Sequence, residues 1–255
     1  MEFKEFKSIF RILISNKFIK IGIAVNFIFL IPSFISYIYQ LSYPSIGNDF
    51  VVYYKAGYLV INDIENLYNT AIYPQVFRYL PFTAYLFSVF IIVPEPVAFF
   101  LFEITLFLTN IPSIIIIYYL VFNVYDIDKR YEQYVFYVLT LFLVFGPNVD
   151  NYFMGQINSL VAFFLLLSLY FFERESAPKS EKKKNLAKYS DFFGGFFLSL
   201  AITFKTYLIF LIPFVFIYKI LLKNGGELTE SHISRSNIQL ILSIIPFCFA
   251  HLLPF

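Results

Sequence analysis

The stretch IGIAVNFIFLIPSFISYIYQL, residues 21–41, decides the fold. It runs for 21 residues without a formal charge. At ~1.5 Å of rise per residue, a helix of that length crosses a ~30 Å hydrocarbon layer. Lys4, Lys7, Arg11, Lys17 and Lys20 precede it, and no small-residue cleavage site stands between. A retained first span with a cytoplasmic start is therefore expected, residues 1–20 forming a cytoplasmic lead-in rather than a removed signal peptide. The rest of the chain has the same character. Of 255 residues, 59% are hydrophobic and only 14% charged, and the mean hydropathy is +0.72. A soluble domain is about 45–50% apolar and about 25% charged. Charge this sparse cannot cover so much apolar side chain in water. A soluble globule, a disordered chain, collagen, a coiled coil and a disulfide scaffold are all excluded. The expected fold is all-α, a polytopic transmembrane helical bundle in the cell membrane.

Further apolar runs follow at residues 97–122 (containing Glu103), 131–146, 157–172, 192–218 (centred on Lys205) and 238–255. Residues 80–93 are also apolar, but a 14-residue helix closed by Pro94-Glu95-Pro96 reaches only ~21 Å. Charge sets the orientation. The loops 126–132, 173–191 and 219–236 are basic, so all three belong inside. They can be inside together on two conditions. Residues 80–93 must not cross, and the Lys205 segment must enter and return as a hairpin. The alternative, one tilted helix with a mid-membrane lysine, strands a basic loop outside. On the hairpin reading about seven crossings result. Every Lys and Arg except Lys55, Arg78 and Lys205 is then cytoplasmic. The outer loop, residues 42–96, holds juxtamembrane helices, and Glu103 lies near the outer end of its helix.

With 36 Phe, 21 Tyr and no Trp, tyrosine must supply the interfacial anchors. The single cysteine, Cys248, reads as a small packing residue. A net charge of +2 gives no reason to expect nucleic acid as a partner. No Ser/His/Asp set, phosphate-binding glycine loop or Cys/His metal spacing appears. No cofactor is expected; a divalent metal is left open.

Four elements of the outer face could carry chemistry. Asp49 follows the first span and opens a short aromatic segment. It either caps that helix with Asn48 or holds a carboxylate at a wet–dry boundary, where desolvation raises its basicity. Arg78 precedes Pro81, which suits the first turn of a helix. It either snorkels to the surface or presents a guanidinium fork to a lipid-linked phosphate. The polar run 147–158 has Gly155 to turn the chain; Gln156 and Asn158 either cap the next helix or bind hydroxyls. Lys205 interrupts an apolar run at a cost of roughly 2.5–3.5 kcal/mol on insertion scales. It pairs with Glu103, reaches the interface, or meets an anionic ligand.

In order, these elements are Asp49-Phe50-x-x-Tyr53-Tyr54-x-Ala56, Leu67-Tyr68, Arg78-Tyr79-Leu80-Pro81, Gly155-Gln156-Ile157-Asn158, and Gly194-Gly195 leading to Lys205. The series resembles glycosyltransferase family 87, the polyprenyl-phosphate-mannose-dependent mannosyltransferases of the C-type, multi-pass superfamily. It covers about residues 49–213. The resemblance implies a catalytic acid in the first outer loop, flanking juxtamembrane helices, and a polyprenyl-phosphate sugar donor in the outer leaflet. Asp49 is then the implied catalytic base. Tyr53, Tyr54, Arg78, Tyr79, Gln156, Asn158 and Lys205 are the implied substrate-binding residues. The acceptor is a lipid or glycan hydroxyl. Two departures stand out. The family's proline shortly after the lysine is replaced here by Thr206-Tyr207-Leu208. The sequence also stops at residue 255, at the end of a span, where such enzymes continue. A truncated or split chain, or a module completed by a second subunit, is the corresponding expectation. The competing readings are a non-catalytic membrane subunit, a carrier or flippase for lipid-linked saccharides, or an inactive fragment. A transporter predicts repeat symmetry or paired broken spans, and only the Lys205 segment reads as broken.

Overall fold

The computed structural model describes residues 3–42, 48–73, 76–174 and 190–215, and among these all regular structure is helical. The expected span 238–255, the loop 219–236 and most of the loop 173–191 lie outside the described residues.

The lead-in is itself a helix, α1 (Phe3–Ser15). The chain leaves it at Asn16, whose side chain accepts hydrogen bonds from the Phe18 and Ile19 amides at 2.9 and 3.4 Å and so caps α2 (Lys17–Ile28). The run 21–41 is not one unbroken helix. A turn at Phe29 separates α2 from α3 (Leu30–Ser42). Pro32 explains the position of that break: it has no N–H for the Ile28 carbonyl, and its ring crowds that carbonyl. Together the two pieces form a 25-residue stretch, Lys17–Leu41, long and apolar enough to cross a membrane. The second such stretch is the 30-residue Glu95–Val124. It comprises α6 (Glu95–Tyr119) and a π turn over Leu120–Val124. Ile21, Ile28, Ile31 and Ile35 each leave more than half their surface open. The core helix of a soluble protein would bury these residues; a lipid-facing one would not.

Elsewhere the helices do not coincide with the apolar runs. Residues 131–146 yield α7 (Glu132–Val144), with 13 residues, and 157–172 yield α9 (Asn158–Arg174), with 17. Between them the first part of the polar run folds into a short helix, α8 (Gly146–Phe153). Residues 192–218 yield α10 (Ser190–Phe204), a break at Lys205, and a tight turn over Thr206–Phe210.

The described residues fall into two compact units. The first takes those of Met1–Ile115 and Arg130–Leu160, and the second those of Ile116–Lys129 and Val161–Phe255. In the first unit α2 packs on α7 at Gly22, where a Cβ would stand 3.1 Å from Leu143 Cδ1 and 3.3 Å from Thr140 Cγ2. The Phe18 and Tyr137 rings meet edge-on beside that contact. Glu103 sits on α6 fully buried.

The segment after α3 in the same unit contains α4 (Asp49–Asn62) and α5 (Pro81–Phe87). Pro81 occupies the first turn of α5, and Leu80 before it is extended, as the residue preceding a proline tends to be. With the turn Ser88–Ile92, this element reaches about 18 Å, too short for an easy crossing. It lies against α4 at Gly57. A Cβ there would fall 2.8–2.9 Å from the main-chain atoms Phe87 C, Phe87 O and Ser88 N. Main chain cannot rotate away as a side chain can. Gly57→Ala is therefore expected to push α5 off α4. The overpacking of ~1–3 kcal/mol outweighs a helix-propensity gain of ~1 kcal/mol. The check is a lowered unfolding midpoint of the detergent-solubilised chain.

In the second unit α10 crosses α9 at Gly194. A Cβ there would lie 2.6 Å from the Phe172 ring, and the Gly194 carbonyl accepts from Ser168 Oγ at 2.8 Å. The rings of Phe164 and Phe204 stack in the same layer. Lys129 donates to Tyr118 Oη at 2.8 Å and lies over the Phe122 ring at 4.1 Å, a cation–π contact.

Candidate functional site

Asn48 is extended (φ −120°, ψ 130°), and its side chain accepts from the Phe50 amide at 2.9 Å. Asn48, not Asp49, is the N-cap of α4. The capping alternative for Asp49 is thus corrected. Asp49 opens the first turn, where the helix dipole favours a negative charge, and it is half-buried.

The loop that was expected to supply Gln156 and Asn158 seats directly on this helix start. The Asp49 amide donates to the Met154 carbonyl at 2.9 Å, and Asn48 Nδ2 donates to the Phe153 carbonyl at 3.2 Å. Gly155 takes φ +61°, the left-handed region. Its would-be Cβ collides with Asn48 Oδ1 and stands 2.8 Å from Phe50 Cβ. Both the turn and the close approach demand glycine.

One helical turn beyond Asp49, the buried Tyr53 hydroxyl meets the Tyr79 hydroxyl at 2.7 Å. The Tyr53 ring stacks on Phe87 at 4.6 Å. Burial foremost, then Tyr79 and the nearby Asp49 carboxylate, hold Tyr53 well above the usual phenol range, so it is a neutral hydroxyl at any physiological pH. The Tyr79 carbonyl in turn accepts from Tyr68 Oη at 3.0 Å. Tyr73, pushed up to about 12 by burial and by Tyr68, donates to the Leu67 carbonyl at 2.7 Å. Beneath these bonds lies an apolar core of Val52, Ala56, Leu59, Leu67, Phe77 and Ala84. It fixes residues 77–79 against α4, with Arg78 exposed beside Tyr79.

Other predicted residues have different surroundings. Tyr54 donates its hydroxyl to the Val93 carbonyl at 3.0 Å, tethering the chain just before α6. Asn158 Nδ2 donates to Gln156 Oε1 at 2.7 Å and to Asn151 Oδ1 at 2.8 Å. The Gln156 amide donates to the Asn151 carbonyl at 2.8 Å. Both half-buried side chains therefore belong to a cross-linked polar turn that ends with Ser159 Oγ donating to Asn148 Oδ1 at 2.7 Å. Lys205 belongs to the second unit. It is extended (φ −139°, ψ 92°) and half-buried, and it interrupts any single helix through 192–218. The first unit thus gathers Asp49, Tyr53 and Tyr79 with the 153–158 turn. Among the described residues no group of three His, Cys, Asp or Glu could hold a metal ion.

One group of residues escaped the sequence reading. Tyr152 Oη donates to Asn26 Oδ1 at 2.7 Å and accepts from Asn110 Nδ2 at 3.1 Å, and Asn26 Nδ2 donates to the Leu143 carbonyl at 2.6 Å. All three side chains are buried. Two asparagines inside apolar spans were the available sign. This triad anchors α8, whose next residues carry the Met154 carbonyl that holds the Asp49 amide. Tyr152→Phe would strip the buried amides of their shared partner at a cost of about 1–3 kcal/mol. The expected outcome is a lowered unfolding midpoint with normal membrane insertion, checked by thermal unfolding in detergent and by fractionation.

Comparison with known proteins adds the family. The model of glycosyltransferase family 87 matches residues 77–223. That stretch holds Arg78, Tyr79, Gln156, Asn158 and Lys205, while Asp49, Tyr53 and Tyr54 precede it. No curated protein and no solved structure matches the chain. The match takes in more than half of the sequence and runs from just before α5 past the Lys205 break, and it shows that the chain belongs to glycosyltransferase family 87, a family of membrane glycosyltransferases.

Proposed function

We propose that this chain transfers a hexose, specifically mannose, from a polyprenyl-phosphate sugar to a lipid or glycan hydroxyl on the outer face of the membrane. The observation that carries the proposal is the seating of the Met154–Gly155 turn on the first turn of α4. The contact runs from the Asp49 main chain to the loop that carries Gln156 and Asn158, one helical turn from the Tyr53–Tyr79 hydroxyl pair, and it supports reading these residues as one site. Asp49 removes the proton of the acceptor hydroxyl as that oxygen attacks the anomeric carbon. The bond from the anomeric carbon to the phosphate oxygen breaks, and polyprenyl phosphate leaves. A single displacement inverts the anomeric centre. Arg78 neutralises the departing phosphate, while Tyr53, Tyr79, Gln156 and Asn158 orient sugar and acceptor. Because the donor phosphoester supplies the energy, no nucleotide site is required.

The accompanying topology has seven crossings, a cytoplasmic N-terminus, and an outer loop over residues 42–96 whose helices lie at the surface. A second subunit supplying further spans fits the same scheme. The test is incubation of membranes carrying the chain with radiolabelled polyprenyl-phosphate mannose. Transfer of label to a membrane-bound product is the expected result. Binding of the donor with no product over membranes lacking the chain would defeat the transferase reading in favour of a carrier.

A further inference from the structure

We infer that helix α1 is a docking surface for anionic phospholipid headgroups of the cytoplasmic leaflet. At ~100° per residue, Lys4, Lys7 and Arg11 fall within an arc of about 60°. All three side chains are exposed. On the opposite side Ile9 and Leu13 are buried, and Phe6 and Phe10 are half-buried at the margin. Ile12 and Ile14, each 36% exposed, flank the cations. The apolar side is covered by the chain itself, which leaves the long basic side chains on the open side, free to reach for headgroup phosphates. The cationic surface continues past the bend at Asn16, where Lys17 and Lys20 are exposed on the first turn of α2. Glu5 is the one acid among the described residues 3–20. A cluster of this density at the mouth of a span complements a negative lipid surface.

The inference rests on the cytoplasmic N-terminus proposed above and not on the transferase chemistry. Glutamine keeps the helix while removing the charge, so the test variant is Lys4→Gln/Lys7→Gln/Arg11→Gln in the full chain. Native and variant protein are reconstituted in bilayer discs of mixed phosphatidylcholine and phosphatidylglycerol. They are then released with minimal detergent, and the retained lipids are identified by mass spectrometry. Each cation near the surface favours the anionic lipid about fivefold, so the three together give up to roughly one hundredfold. The expected result is retained phosphatidylglycerol on the native chain, a strong loss on the variant, and a similar loss for the native chain when salt is raised. Equal retention by the two proteins would overturn the inference. So would retention that is independent of salt. Sidedness is tested separately with Ser8→Cys in a Cys248→Ser background. Labelling of intact cells by an impermeant thiol reagent would sink the cytoplasmic placement, and this inference with it, whereas labelling only in inverted vesicles supports both.

Discussion

Under the proposed mechanism, replacing Asp49 by alanine is expected to lower sugar transfer by about 10²–10⁴-fold, the contribution of a positioned general base. The chain should still insert and fold. Asn48 supplies the cap of α4, and the tie to the neighbouring loop runs through the Asp49 main chain, which alanine preserves. The favourable charge at the helix start is lost, at ~0.3–1 kcal/mol. Asp49→Asn should be equally inactive, because it keeps the shape and a hydrogen-bonding group but cannot take up the proton. The measurement is label transfer per unit of membrane-inserted protein, with the unfolding midpoint recorded alongside. A fully active asparagine variant would remove Asp49 from the chemistry and leave it a local stabiliser.

The second large effect is expected at Gly155. Alanine there takes on the left-handed backbone penalty of roughly 1–2 kcal/mol. It must also displace Asn48 Oδ1 and Phe50, which occupy the place of its Cβ. Asn48 Oδ1 is the atom that caps α4, so one methyl group breaks the cap, a further ~0.5–2 kcal/mol. The turn must also move off the Asp49 amide. Both stability and transfer should fall together, with a loss of about 2–4 kcal/mol in unfolding free energy. This pairing separates Gly155→Ala from Asp49→Ala, which should cost chiefly rate. A Gly155→Ala variant with native stability would contradict the close approach described above.

The helical class was legible in the sequence because composition and run length act on every residue. Residues 21–41 and 97–122 could be read as spans, and Pro81 as the opening of a short helix, from local chemistry alone. The match to the family model supports the resemblance drawn from the motifs. Other features depend on distant partners. Whether Asn48 or Asp49 caps α4 is decided by the backbone angles at Asn48 and by the turn packed against it, 105 residues away along the chain. The Asn26–Asn110–Tyr152 triad joins positions separated by up to 126 residues, and no periodicity reports such a link. Tyr54 sits next to Tyr53 in an aromatic run, yet one hydroxyl meets Tyr79 and the other meets Val93. A helix rotates adjacent side chains by ~100°, so neighbours in sequence serve different faces. Glu103 can be placed along its helix from the sequence, but its burial depends on the packing of that face.

The apolar interior beneath α4 and α5 has an evolutionary corollary. A surface segment with its own small core can be exchanged between relatives as a cassette, without redesign of the lipid-facing helices. What any such graft must preserve is the narrow seam of Asn48, Phe50 and Gly155, where no spare atom fits. Diversity in sugar or acceptor choice would then arise by shuffling the cassette's face while that seam stays fixed.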